Sequence, residues 1–321
     1  MTSYSDFRLA IITLLSFINV SKKPFLLKKG MLFLLLFPFI GNAQEYIDLV
    51  KVGYGQSFNN QFKDLNSNTQ INFFDADISF PIPINEKHVF VTGVSFSVNN
   101  LQLYPEAEFT NLYSTTLKLG VASKFSEKWS TTIVFLPKMA SNYDNISSDD
   151  FYYGGFAILK LQRKENLIYR FGFYASSEAY GFYGTPIFGW YYISPNKRFE
   201  MDVSLPLLAD VNYRIGLATI GFDYVGIGRT FNLTKDNGPK QYVDMSSLEF
   251  SNYLQFNVLK NSILLRAKFG YATSGYDIYP NGENIDFGLT GLKFGDGRGK
   301  LNPEIEGSLF LKFEAIYRLH I

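Results

Sequence analysis

The chain has 321 residues, with 30 Lys and Arg against 29 Asp and Glu, 17% aromatic residues and no cysteine. Charge this evenly balanced argues against a nucleic-acid partner, which requires a basic face. The missing thiol excludes a disulfide framework, a thiolate metal site, a cysteine nucleophile and a lipid-modified N-terminal cysteine.

In chain order, residues 1–43 read as a signal-peptide region. Met31–Ile40 is an apolar run, and Gly41-Asn42-Ala43 supplies the small residues that a signal peptidase needs. A second apolar stretch, Arg8–Val20, precedes Lys22-Lys23 and Lys28-Lys29. A translation start near Val20 or Ser21 gives the leader an ordinary form, with a basic segment before the apolar core. Beyond Ala43 no run approaches the ~18 apolar residues of a membrane-spanning helix. Residues 44–321 instead alternate apolar and polar side chains with period two, the mark of strands with one apolar face.

Ile71–Phe80 sets Phe74, Ala76, Ile78 and Phe80 against Asp75, Asp77 and Ser79. Val89–Ser97, Tyr113–Ala122, Leu167–Tyr174, Leu248–Val258 and Ile263–Tyr271 repeat the pattern. Residues 199–228 divide into three crossings, with Pro206 at the first break, where a proline that cannot donate is tolerated. The chain closes on Leu309, Leu311, Phe313, Ala315, Tyr317, Leu319 and Ile321 on one parity. Lys312, Glu314, Arg318 and His320 lie on the other, interrupted only by Phe310 and Ile316.

Short polar turns near Asn85, Ser126, Arg163–Asn166, Ser194–Arg198 and Lys260 alternate with longer segments. Those are Gln56–Ser67, Asn99–Asn111, Ala140–Asp150, Ser176–Thr185, Thr230–Asp244 and Thr273–Pro303. Segregation of connections by length, with 32 Phe and 22 Tyr to furnish an apolar band and aromatic girdles, predicts one antiparallel transmembrane β-barrel. Its short turns are periplasmic and its long loops extracellular. Its strands number 12–14, with 14 preferred, because both termini on the periplasmic side require an even number. The Gly-containing Thr273–Pro303 segment is the candidate for a loop folded inward.

The mature chain resembles the uncharacterised outer-membrane β-barrel proteins of Bacteroidota. The features that carry the resemblance are Gly41-Asn42-Ala43-Gln44, the turns Glu86-Lys87-His88 and Glu127-Lys128-Trp129, and the terminal strand. The resemblance implies a bacterial outer-membrane location. The partners follow: membrane lipid and lipopolysaccharide around the wall, and the barrel-assembly machinery during insertion. Ending in Ile321 rather than an aromatic residue departs from the usual pattern, while Phe313 and Tyr317 keep the rest of it.

Polar-parity positions predict the lumen-facing charges: Lys51, Asp75, Asp77, Lys118, Lys160, Arg170, Glu200, Asp202, Asp210, Arg214, Asp223, Glu249, Arg266, Lys268, Lys312, Glu314 and Arg318. Their balanced signs argue against a strongly ion-selective pore, which uses rings of one sign. Along the chain Glu200, Asp202, Asp210 and Asp223 cluster, as do Arg266, Lys268, Lys312, Arg318 and Lys51. The sequence therefore predicts an acidic arc and a basic arc, with a salt-bridged filling as the plainer alternative.

No cofactor site, metal-ligand spacing or catalytic motif is present. Gly295–Lys300 lacks the Ser or Thr, the strand and the helix of a phosphate loop and reads as turn chemistry. His88 and His320 are the only histidines, each at a strand end. The expectation is a passive channel or transporter for small polar or amphipathic solutes. A closed scaffold or surface-binding module, with Asn59, Asn60, Tyr104, Tyr113, Tyr143, Tyr180, Tyr183 and Tyr242 as contact residues, is the first alternative. A membrane hydrolase is the second.

Overall fold

The computed structural model describes residues 46–234 and 238–320; the leader expected over residues 1–43 lies outside them. Fourteen strands form the barrel: β1 Tyr46–Ser57, β2 Asn72–Pro83, β3 His88–Leu101, β4 Thr110–Lys124, β5 Trp129–Ser141, β6 Phe151–Lys164 and β7 Leu167–Glu178, then β8 Gly181–Ile193, β9 Phe199–Leu205, β10 Leu208–Ile215, β11 Ala218–Leu233, β12 Gln241–Val258, β13 Ile263–Ala272 and β14 Ser308–His320. Each pairs antiparallel with its neighbour in sequence. The ring closes where β1 pairs with β14, from Tyr46↔His320 to Ser57↔Phe310. A bulge between Asp48 and Val50 shifts the alternation of β1, so that Asp48 and Lys51 both face inward. Among the described residues the one helical element is a single 3₁₀ turn, Ser148–Asp150.

Alternation decides which side chains line the wall. On β14, Leu309, Phe313 and Tyr317 are exposed on the outside while Phe310, Glu314 and Ile316 are buried inside. The same outward row continues through Phe80, Leu119, Ile133, Phe171, Phe188, Phe222, Phe250 and Phe269 around the circumference. A wall of large exposed apolar side chains over a polar interior is the inverse of a soluble barrel and suits hydrocarbon. Both faces are satisfied without a free sheet edge, since closure pairs every strand on two sides.

Connections at one end are short: 84–87, 125–128, 165–166, 194–198, 216–217 and 259–262. This turn end carries Tyr46 and His320. The opposite, loop end is less uniform than expected. Ser176–Thr185, expected as a long loop, is a hairpin whose strands run through to a two-residue turn at Ala179-Tyr180. Pro206-Leu207 joins β9 to β10 just as tightly, after a cis Leu205–Pro206 peptide bond. These two short strands leave the wall low beside β11 and β12, which rise past it.

The Thr273–Pro303 segment occupies that end. Its first part, Gly275–Pro280, extends the sheet by pairing with Gln241–Ser246. Further along, Phe287–Leu289 and Leu292–Phe294 form a small hairpin, whose first arm pairs in parallel with Tyr183-Gly184 of β8. Its Phe287, Leu289, Leu292 and Phe294 are exposed, while Lys293 on the opposite parity bonds Asp244. The hairpin thus continues the apolar exterior above the short β9–β10 pair.

Candidate functional site

The barrel interior has three levels. Nearest the turn end, charge fills it. The Glu314 carboxylate, fully buried, has Lys51 Nζ at 3.2 Å, Lys268 Nζ at 3.2 Å, Lys312 Nζ at 3.5 Å and a nitrogen of Arg266 at 3.8 Å. Its oxygens are held by charge rather than by aligned hydrogen bonds. The cations have further partners: Lys268 pairs with Asp223, Arg266 with Asp210 at 3.3 Å, and Lys312 with Asp75 at 2.6 Å. Arg266 also lies 4.0 Å over the Tyr253 ring, whose hydroxyl donates to Asp210 at 2.7 Å.

Two glycines permit these reaches across an intervening strand. A Cβ on Gly53 would meet Lys312 Cε at 2.7 Å and Asp75 Oδ2 at 2.9 Å, so the Lys312–Asp75 pair passes over bare backbone of β1. A Cβ on Gly221 would meet Tyr253 Cζ at 2.3 Å, so Tyr253 crosses β11 to Asp210 in the same way. Closer still to the turn end, Arg318 donates to both oxygens of Asp48 at 2.6 and 3.0 Å and lies over the Tyr46 ring. The Tyr46 hydroxyl donates to Glu200 on β9, spanning from β1 to a distant part of the ring. Arg170 pairs with Asp202.

The middle level is a chamber of about 710 Å³. Lys51, Asp75, Asp77, Lys118, Glu249, Lys268, Lys312 and Glu314 line it, with Phe73, Ile227, Tyr276 and Phe310 toward the loop end. Its volume lies in the range of small-molecule sites. Lys118 is fastened to Asp77 at 2.6 Å and to Ser79 at 3.0 Å. Lys138 is fastened to Glu178 at 2.9 Å, and Glu178 also accepts from the Thr230 amide and hydroxyl.

Above the chamber the interior is a packed apolar core. Phe62 and Ile71 come from the first loop region, Leu101, Leu103 and Leu112 from the β3–β4 end, and Phe231, Leu233, Val243 and Met245 from β11 and β12. Tyr276, Ile278 and Ile305 come from the β13–β14 connection. Asn302 satisfies the backbone inside this core, donating to the carbonyls of Tyr276 at 2.8 Å and Leu103 at 3.3 Å and accepting from the Ile278 amide at 2.8 Å. A second group, Tyr180, Tyr242, Tyr279 and Ile285, packs around Arg298. That guanidinium grips Asp296 through two 2.9 Å bonds, reaches buried Asp244 at 3.0 Å, and lies 3.9 Å over the Tyr279 ring. The hydrogen bond from Arg298 holds the Asp296 carboxyl below its ordinary pKa.

The inward segment expected at Thr273–Pro303 is therefore in place. The predicted acidic and basic arcs, by contrast, are not apart: Asp210 and Asp223 interlock with Arg266 and Lys268, because strands β10, β11 and β13 are near neighbours in the ring. Lys160 sits opposite Arg170 in the β6–β7 ladder, and Arg214 ends the inward row of β10 beside the turn end. Three residues offered as loop-surface contacts, Asn60, Tyr180 and Tyr242, are buried at the loop end instead. Phe310 breaks the polar face of the last strand for the same reason: it packs edge-on against Phe73 under the core. Sequence reading missed this core. Its signal was present as apolar side chains on the polar parity at strand ends.

His88 Nδ1 lies 2.9 Å from Ser123 Oγ across the β3–β4 ladder, and His320 Nε2 lies 3.1 Å from the Asn261 carbonyl. Among the described residues no acidic side chain bonds either ring, so neither histidine has the third group that orients a general base. No cluster of possible metal ligands occurs among the described residues.

A family model described as a domain of unknown function, DUF6268, matches residues 40–274. No curated protein sequence matches. Among solved structures, the KdgM porin is 8% identical, aligning over 84% of this chain and 99% of its own at a TM-score of 0.32. The NanC porin is 11% identical, over 84% and 100%, at 0.31. The toluene transporter TodX of P. putida is 9% identical, over 85% and 89%, at 0.36. At such scores the fold rests on the ladders of this chain itself.

Proposed function

We propose that this chain, which belongs to the DUF6268 family, is an outer-membrane barrel that passes small polar or amphipathic solutes through a gated interior. The turn end faces the periplasm and the loop end the outside, with lipid and lipopolysaccharide against the apolar wall. The observation that carries the reading is the 710 Å³ chamber, which an interior filled only for stability would not keep. The core above it makes the resting barrel closed, and Arg298, tied to Asp296 and Asp244, is the latch that holds the closing segment.

Planar-bilayer conductance of residues 44–321 tests this. The intact barrel is expected to be nearly silent. Arg298→Ala, which frees the latch without changing a residue of the wall itself, is expected to give discrete steps. A folded Arg298→Ala barrel as silent as protein-free bilayer, with a folded variant that also carries Ile278→Ala and Ile305→Ala in the core equally silent, would return the chain to a scaffold role.

A further inference from the structure

Every charged side chain lining the chamber has an ion-pair partner except two. Lys51, Lys268 and Lys312 share Glu314, Asp75 pairs with Lys312, Asp77 with Lys118, and Lys138 with Glu178. Arg229 and Glu249 line the same chamber with no ion-pair partner among the described residues. Arg229 has one hydrogen bond, to the Ser97 hydroxyl at 2.7 Å across the barrel, and that neutral group leaves its charge uncompensated. Both side chains are half-buried, and the solvent they meet is that of the chamber.

The sheet itself keeps these two apart. They lie on adjacent strands, but Arg229 pairs in register with Met245 and Glu249 with Val225. Four ladder steps separate them, roughly 13 Å of strand at about 3.3 Å per residue. Arg229 comes one inward step below Phe231 of the core. Glu249 comes one inward step above Ser251, which donates to Asp223 in the charged floor. Between them Val225 and Ile227 present apolar side chains to the chamber. A cation under the roof, an anion above the floor and an apolar wall between them form a site with a definite charge order. Glu249 feels Lys312 and Lys268 only from beyond ion-pair distance, and leaving it and Arg229 without a contact partner in a low-dielectric interior is costly unless something else meets them.

We infer that the chamber takes a zwitterionic solute whose anionic and cationic groups are separated by an apolar chain or ring, the anion meeting Arg229 and the cation meeting Glu249. This rests on the reading that solutes enter the chamber and names their class.

The test is calorimetric titration of the folded Arg298→Ala barrel, in which the latch is released, in nonionic detergent with 8-aminooctanoate, octanoate and octylammonium, against detergent blanks, every further variant being made in that background. The zwitterion is expected to bind at least tenfold more tightly than either singly charged probe. Arg229→Gln and Glu249→Gln are each expected to erase that preference. The exchange R229E/E249R is expected to restore it, because a linear zwitterion can enter reversed. Heat-modifiable gel mobility verifies that each variant is folded. Two results overturn the inference: a folded Arg298→Ala barrel that binds none of the probes, or octanoate binding as tightly as the zwitterion with Glu249→Gln without effect. Vesicle uptake of 8-aminooctanoate separates the two readings. Binding without uptake in the Arg298→Ala barrel removes transport and leaves the site. Uptake indifferent to Arg229 and Glu249 removes the site and leaves transport.

Discussion

The two ends of the barrel interior are filled by opposite means. Toward the turns, side chains on the polar parity of the strands meet one another as ions, and Glu314 sits among four cations. Toward the loops, apolar residues drawn from five separate stretches of chain pack into a core of the kind a soluble protein has. The difference teaches how each end fails. A missing methylene above leaves a void that neighbours partly fill, whereas a missing charge below strands several others.

The sharpest way to break the comparison is at Glu314. Glu314→Gln removes the shared anion from Lys51, Lys268, Lys312 and Arg266 and is expected to cost about 3–5 kcal/mol, the range for breaking a buried pair. A lowered midpoint of heat-modifiable mobility would show it, and an unchanged midpoint would mean that chamber water screens the hub. In the core, Leu112→Ala is expected to cost about 2–5 kcal/mol. Its damage should stay local, appearing as faster amide exchange in 273–307 with the midpoint of the wall little changed.

The latch comes next. Arg298→Ala loses charged hydrogen bonds to Asp296 and Asp244, about 1.5–3 kcal/mol of local closure. Protease access to 281–301 reads it. The same bonds give that closure a pH dependence. The folded carboxyl of Asp296 is depressed by Arg298, so its contribution is complete above the ordinary carboxylate value near pH ~4. It is lost as pH falls through the lower folded value. Protection of 281–301 should thus decline only below about pH 4, and Asp296→Asn should flatten that decline while weakening protection at pH 7. Smallest of all is Lys63→Ala, which removes a half-exposed 2.9 Å pair with Glu304 at the rim. Solvent screens such a pair, so little or no change is expected in the protection of the first loop.

The comparison also explains what could be read beforehand. The wall and the charged floor were legible because both follow from alternation: Asp75, Asp77, Lys268, Lys312 and Glu314 each fall on the polar parity of a strand. All three crossings between 199 and 228 were visible, because an even strand count requires them and Pro206 marks the first break. That Thr273–Pro303 turns inward was legible too, but the core it joins was not, because its members break alternation and Phe62 meets Ile305 only where the first loop and the last connection come together. Nor could spacing show that Asp223 would meet Lys268 rather than face it, since that depends on which strands stand two apart in the ring. Ser176–Thr185 misled because Ser, Gly and Tyr resemble a loop in composition, yet Glu178 and Gly181 pair directly.

The seam between β1 and β14 carries a kinetic consequence. Tyr46 meets His320 across almost the full described sequence, so this ladder is the contact of greatest chain separation among the described residues. Until it forms, both strands present rows of unpaired amides and carbonyls, the edges that invite wrong partners. The same seam completes the ionic hub: Lys51 reaches Glu314, and Lys312 reaches Asp75, only once β1 lies zipped between β2 and β14. A half-shut ring would hold a carboxylate short of its lysine along with two raw edges. Closure is therefore cooperative by construction, because the last hydrogen-bonded ladder and the last charge compensation arrive in one step.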